Sequence, residues 1–211
     1  MNKQMIIALA AVATMASGTA SAFEAGDWVF KAGTTNVDPK QRNTGSGLEG
    51  INVIVDDDSS LSLTGAYFFT DAIALELLAS LPFEHDYTAI TDDNTSLVAG
   101  GSTKHLPPTL TLQYHFNSGG TFIPYVGLGV NYTYFFSQKN YGDLAGANAE
   151  LDDSFGYAIQ AGIDYMFTEK LYMNVDVRYI QIEPDLKVGG SKIGEVEINP
   201  TTVGLNVGYR F

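Results

Sequence analysis

Bulky apolar residues alternate with small or polar ones through almost the whole chain after its first 22 residues. The closing stretch "TTVGLNVGYRF" shows the pattern: Val203, Leu205, Val207, Tyr209 and Phe211 alternate with Thr202, Gly204, Asn206, Gly208 and Arg210. A β-strand sends successive side chains to opposite faces, so each such segment is a ribbon with one greasy side and one polar side. Eight long segments are predicted, at about 26–37, 60–69, 72–84, 105–116, 121–136, 154–167, 170–183 and 197–211. Most exceed the roughly five or six residues of a typical soluble strand and match the roughly 9–11 that cross a bilayer at a tilt. No periodic helix and no internal repeat competes with this reading.

The N-terminus has a different pattern. Lys3, the apolar run "MIIALAAVATMA" (Met5 to Ala16) and the small residues of "ASA" (Ala20 to Ala22) predict a secretory signal peptide over residues 1–22. Roughly 12 apolar residues are too few for a spanning helix, which needs about 20, and no later stretch is long enough either. An exported chain of this kind is soluble or spans a membrane as a closed barrel, because hydrocarbon leaves an open sheet edge unsatisfied.

The connections favour the barrel. Thr70-Asp71, "NSGG" (Asn117 to Gly120) and "TEK" (Thr168 to Lys170) are tight turns. Between them lie long polar loops at about 38–59, 85–104, 137–153 and 184–196, carrying Asp56 to Asp58, Asp92-Asp93 and Asp152-Asp153. Short turns on one rim and long loops on the other mark an all-β, eight-stranded antiparallel transmembrane β-barrel over residues 23–211. The short turns would face the periplasm and the long loops the exterior. On the outer face stand sets such as Ile73, Leu75, Leu77, Leu81 and Phe83, or Phe122, Val126, Leu128, Val130 and Tyr134, with aromatics crowding the strand ends. A soluble β-sandwich with an apolar core is the competing architecture.

The inner face then carries Lys31, Glu76, Gln113, Asn131, Gln160, Asp164, Asn174, Asp176, Arg178 and Arg210. Unpaired charges there cost several kcal/mol or roughly so, hence three acids and three bases are expected to pair with each other. Inward Gly127, Gly129, Gly156, Gly162, Gly204 and Gly208 leave room for them. Phe68, Tyr125 and Phe135 also point inward, as apolar lining or as packing. Pro82 ends the third segment and Pro107-Pro108 begin the fourth; none donates to a ladder, and hairpin arithmetic brings them together. They mark either a gap in the wall or strands ending at the outer rim.

"DAIALELLASLPFEH" (Asp71 to His85), "KHLPPTLTLQYHF" (Lys104 to Phe116), "PYVGLGVNYTYFF" (Pro124 to Phe136) and the terminal "GYRF" resemble the OmpW family, with "HLPPTL" the most specific piece. Those proteins are eight-stranded outer-membrane barrels, AlkL-like alkane-uptake proteins among them. The resemblance implies passive passage of small hydrophobic molecules through a narrow lumen, with a sideways exit through the wall. It places an apolar gate position at Leu78, and Arg178 where the family pattern can have an aromatic one. It also implies that Phe211 ends the chain as a signal to the barrel-assembly machinery, within outer-membrane lipid and lipopolysaccharide.

Other chemistry finds little support. A formal charge of −13 repels phosphate backbones, which argues against nucleic acid as a partner. The absence of cysteine excludes disulfides and thiolate chemistry. No nucleophile motif such as G-x-S-x-G occurs, and no cofactor is implied. Strand parity puts His105 inward and His85 outward, unless Pro82 introduces a bulge, so a metal site between them is not expected. His115 reads as a hydrogen-bonded lining residue. Two alternatives stay open: a closed structural or surface-receptor barrel without transport, and a lipocalin-like soluble carrier, for which "GDW" (Gly26 to Trp28) is the only cue.

Overall fold

The computed structural model describes residues 23–39, 42–44, 51–91, 97–116, 120–142 and 149–211. In chain order the strands are β1 (Trp28–Asp38), β2 (Arg42–Thr44), β3 (Ile51–Val55), β4 (Asp58–Phe68) and β5 (Ile73–Ser80). They continue with β6 (Phe83–Thr91), β7 (Leu97–Leu106), β8 (Thr109–His115), β9 (Phe122–Gly142) and β10 (Ala149–Leu151). The last are β11 (Ser154–Met166), β12 (Leu171–Ile180), β13 (Asp185–Val188), β14 (Ser191–Glu197) and β15 (Thr201–Arg210).

Eight of these strands close a barrel in the order β1-β4-β5-β8-β9-β11-β12-β15, with β15 returning to β1 through pairs from Val29↔Arg210 to Asp38↔Thr201. Every pairing is antiparallel, and the return of β15 to β1 leaves the barrel without a terminal edge strand. The turns at one rim are made by threonine. The Thr70 hydroxyl accepts from the amides of Ala72 and Ile73, and Thr168 does the same for Lys170 and Leu171. Of the third expected turn, residues 117–119 lie outside the described residues.

The long-loop rim differs from the expectation of plain loops. β9 runs on to Gly142, β6 and β7 form a hairpin joined to it and to β3, and β10, β13, β14 and β2 make a second small sheet. These segments alternate too weakly to stand out in the sequence, yet they pair because their backbones extend a wall already in place. Asp92 and Asp93 lie outside the described residues.

Burial is inverted relative to a soluble protein. Leu128 is 64% exposed and Val207 55%, while Glu76 is fully buried. Aromatic rings gather at both ends of the apolar band. Trp28, Phe30, Tyr67, Phe69, Tyr209 and Phe211 touch one another near the short-turn rim. Tyr134 with Phe136, and Tyr157 with Tyr179, make contacts toward the other. A sandwich would bury these faces, so the competing soluble architecture fails. Inside, two glycines admit two rings: a Cβ at Gly162 would sit 2.5 Å from the Tyr125 ring, and one at Gly208 2.2 Å from that of Tyr172.

Candidate functional site: a divided lumen and a break in its wall

The interior has three levels, which can be followed along β12. Tyr172 belongs to an apolar cluster near the short-turn rim, Asn174, Asp176 and Arg178 to a polar belt, and Ile180 to a second apolar cluster above. On β5, Ala74, Glu76 and Leu78 repeat this sequence, with Leu78 one inward position above the belt.

The lower cluster is closed by Phe23, 1% exposed, whose ring stacks on Phe68 at 4.5 Å and meets Tyr172 and His115 edge-on. The short segment before β1 is tied in place. The Asp27 carboxylate accepts from the Glu24 amide at 2.7 Å and from Arg210 Nε at 2.7 Å, and Asp71 accepts from the Ala25 amide. Arg210 therefore serves this rim rather than the interior charge group. The rim aspartate Asp27 draws its guanidinium away, a partner that strand parity did not bring to attention.

The belt fills the middle. Lys31 pairs with Glu76, and Arg178 bridges Glu76 and Asp176 at 2.9 and 2.8 Å. Gln160 donates to Glu76 and to the Tyr125 hydroxyl, and accepts from Gln113 at 2.9 Å. Asn174 donates to Asp164 at 2.7 Å, while Asn206 donates to Asn174 and Asp176. His115 donates from Nε2 to Gln113. These side chains come from seven strands of the barrel. Charges this deeply buried and this closely paired need side chains packed around them, and an eight-stranded barrel is narrow enough to supply these. The residues proposed as apolar lining thus occupy three levels: Phe68 low, Tyr125 in the belt and Phe135 high.

The upper cluster joins Phe135, Ala158, Ile180, Ile182, Val196 and Ile198. A cavity of about 710 Å³ opens beside it at the rim, between the end of β9 and β10, with Phe135, Gln138, Leu151 and Asp153 in its lining. Asp153 accepts from the Tyr132 hydroxyl at 2.6 Å, and Asp152 pairs with Lys187. Some of the loop acids therefore fasten the rim. Among the described residues no group of three or more His, Asp or Glu gathers as a metal site.

The wall is broken elsewhere on the upper level, between β5 with β6 and β7 with β8, where His105 meets the Phe135 ring that also lines the cavity. β5 pairs with β8 as far as Leu78↔Thr109, and β6 pairs with β7 from Phe83↔His105. Residues 79–82 and 106–108 between these pairs have no partner across that seam. The flanks are fastened. Asn131 donates to the Pro108 carbonyl and to Thr109, the Leu81 amide donates to Leu61, and Asp58 accepts from the Glu84 amide. The strands do not end at the prolines: both resume above them, so the seam lies within the wall.

Pro82 also reverses parity. Leu81 and Pro82 are both exposed, and from Phe83 onward the odd positions face inward. Phe83 and His85, expected on the outer face, are therefore buried. The proline forces an extra outward residue because its ring cannot join the ladder. Phe83, His85, His105 and Phe135 form a row of rings, with His85 and His105 stacked at 5.0 Å.

The family model for OmpW matches residues 24–211. The chain belongs to the OmpW family. Outer membrane protein W of Vibrio cholerae is 40% identical over 223 residues, covering 99% of this chain and all of that protein. The crystal structure of OprG from Pseudomonas aeruginosa matches with a TM-score of 0.78 at 32% identity, covering 90% of this chain and 97% of that one. AlkL, whose structure was determined in DMPC bilayers, matches with a TM-score of 0.66 at 26% identity, covering 92% of this chain and 94% of that one. This OmpW-family barrel is thus an outer-membrane protein, its apolar band in lipid, its short turns periplasmic and its long loops outside.

Proposed function

We propose that the barrel takes small hydrophobic molecules from the exterior into the level above its charged belt and releases them sideways into the membrane. One observation carries this reading: paired charges fill the belt, while above it the wall has no ladder pair across the seam between Leu78↔Thr109 and Phe83↔His105. An apolar solute does not cross a layer of satisfied ions, because displacing their partners costs several kcal/mol or roughly so and returns nothing. Hydrocarbon lies just beyond the seam. The gate positions then divide in role: Leu78 borders the seam, while Arg178, which replaces an aromatic gate, locks the belt. The chain is also similar to AlkL, and the family resemblance implies the same solute class.

The test is a clamp across the seam. Cysteines at Ser80 and Pro107, in a chain with none of its own, are oxidised in cells and toluene uptake is measured. Uptake should fall to the level of cells without the protein and return on reduction. Unchanged uptake after full crosslinking would remove the lateral exit. The filled belt equally suits a closed structural or receptor barrel; equal uptake by cells with and without the protein would decide for that reading. Contact with lipopolysaccharide through the rim, and recognition of Phe211 during assembly, belong to the same proposal. Phe211 stands exposed at the periplasmic rim, its amide donating to Trp28.

A further inference from the structure

The parity reversal at Pro82 brings together three polar atoms with no hydrogen-bond partner in the protein. His85 Nε2, Thr103 Oγ1 and His105 Nδ1 are all buried and unpartnered. His85 and Thr103 are directly paired across β6 and β7, and His105 follows on the same inward face. Buried polar groups are nearly always satisfied, and each orphan costs roughly 1–3 kcal/mol, so three in one place point to a ligand.

The chemistry of two of these atoms, His85 Nε2 and Thr103 Oγ1, is specific. His85 Nδ1 lies 2.6 Å from the Asp56 carbonyl, which only accepts, so Nδ1 holds the proton. Nε2 of the neutral ring is then an acceptor that needs a donor. Thr103 offers a hydroxyl that both donates and accepts. It faces a bulge where Ser102 pairs with Lys139 and Lys104 with Phe136, and Ser137 has a φ of 53°. A solute hydroxyl satisfies both: it donates to His85 and accepts from Thr103. The surroundings supply flat apolar contact, with the Phe83 ring 5.5 Å and the Phe135 ring 5.6 Å from His105.

We propose that His85 and Thr103 form a binding site for apolar molecules bearing one hydroxyl, such as a phenol, whose ring would add to the row of Phe83, His85, His105 and Phe135. The site stands immediately above the seam, Phe83 being adjacent to Pro82 and His105 two residues before Pro107. Its role as a stopping point for a passing solute rests on the uptake reading above. It extends that reading from bare hydrocarbons to hydroxylated ones.

The experiment compares 4-methylphenol with toluene, which differ by the hydroxyl. Binding to the full-length mature protein in phosphatidylcholine nanodiscs is followed through phenylalanine ring resonances. Thr103→Val, which keeps the side-chain shape, and His85→Phe should each lower the 4-methylphenol to toluene affinity ratio about tenfold, with toluene affinity unchanged. An affinity ratio that Thr103→Val and His85→Phe leave intact overturns the site. Toluene uptake by cells is measured alongside. Protein-dependent uptake with an unchanged ratio rejects the hydroxyl site alone. Protein-independent uptake with the tenfold loss rejects the transport reading and leaves the site standing.

Discussion

Glu76 holds two cations at once, Lys31 and Arg178, in a fully buried position. Its removal leaves both without that carboxylate, so Glu76→Ala should cost about 3–5 kcal/mol of stability, read from urea unfolding in lipid vesicles. A loss below about 1 kcal/mol would mean that water reaches the belt and screens it. Gly162 matters for a simpler reason: Ala there meets the Tyr125 ring, so the substitution should cost about 1–3 kcal/mol in the same assay. Inward polar residues were legible in the sequence because their alternation with bulky apolar ones is strict. Their partners were not. Arg210 and Asp176 both lie on polar faces, yet only the fold takes Arg210 to Asp27 at the rim and gives Asp176 to Arg178.

Strands carry the membrane reading. On β9 the outward series Phe122, Val126, Leu128, Val130, Tyr132 and Tyr134 places aliphatics between aromatic ends. Arg at Leu128, near mid-membrane, should cost about 2–4 kcal/mol, whereas Arg at Thr121, at the rim, should cost about 0–1. Equal penalties would show that the apolar band does not face hydrocarbon. Element identity was readable for the eight barrel strands, since greasy and polar sides differ sharply over many residues. The rim strands were not, because β6, β7, β13 and β14 mix polar residues on both faces. Nor was the reversal at Pro82: Leu81 and Pro82 are both acceptable outward residues, so their sequence does not reveal which one is extra.

The whole molecule joins export, closure and insertion. Phe23 fits the periplasmic mouth tightly, which is the position for a chain end freed by cleavage after Ala22. Mass spectrometry of the outer-membrane form should therefore find Phe23 at the N-terminus; a terminus within residues 1–22 would remove that account. What the sequence determined by itself is the existence of a barrel and its orientation toward lipid. A two-residue period repeated over eight long segments has one low-energy outcome in a bilayer, which is to close with the greasy face outward. The tertiary structure alone decided how the bore is filled and where the wall opens. Both depend on which residues of distant strands come level with each other, and register around a closed sheet is set by turns, bulges and prolines acting together rather than by any one segment.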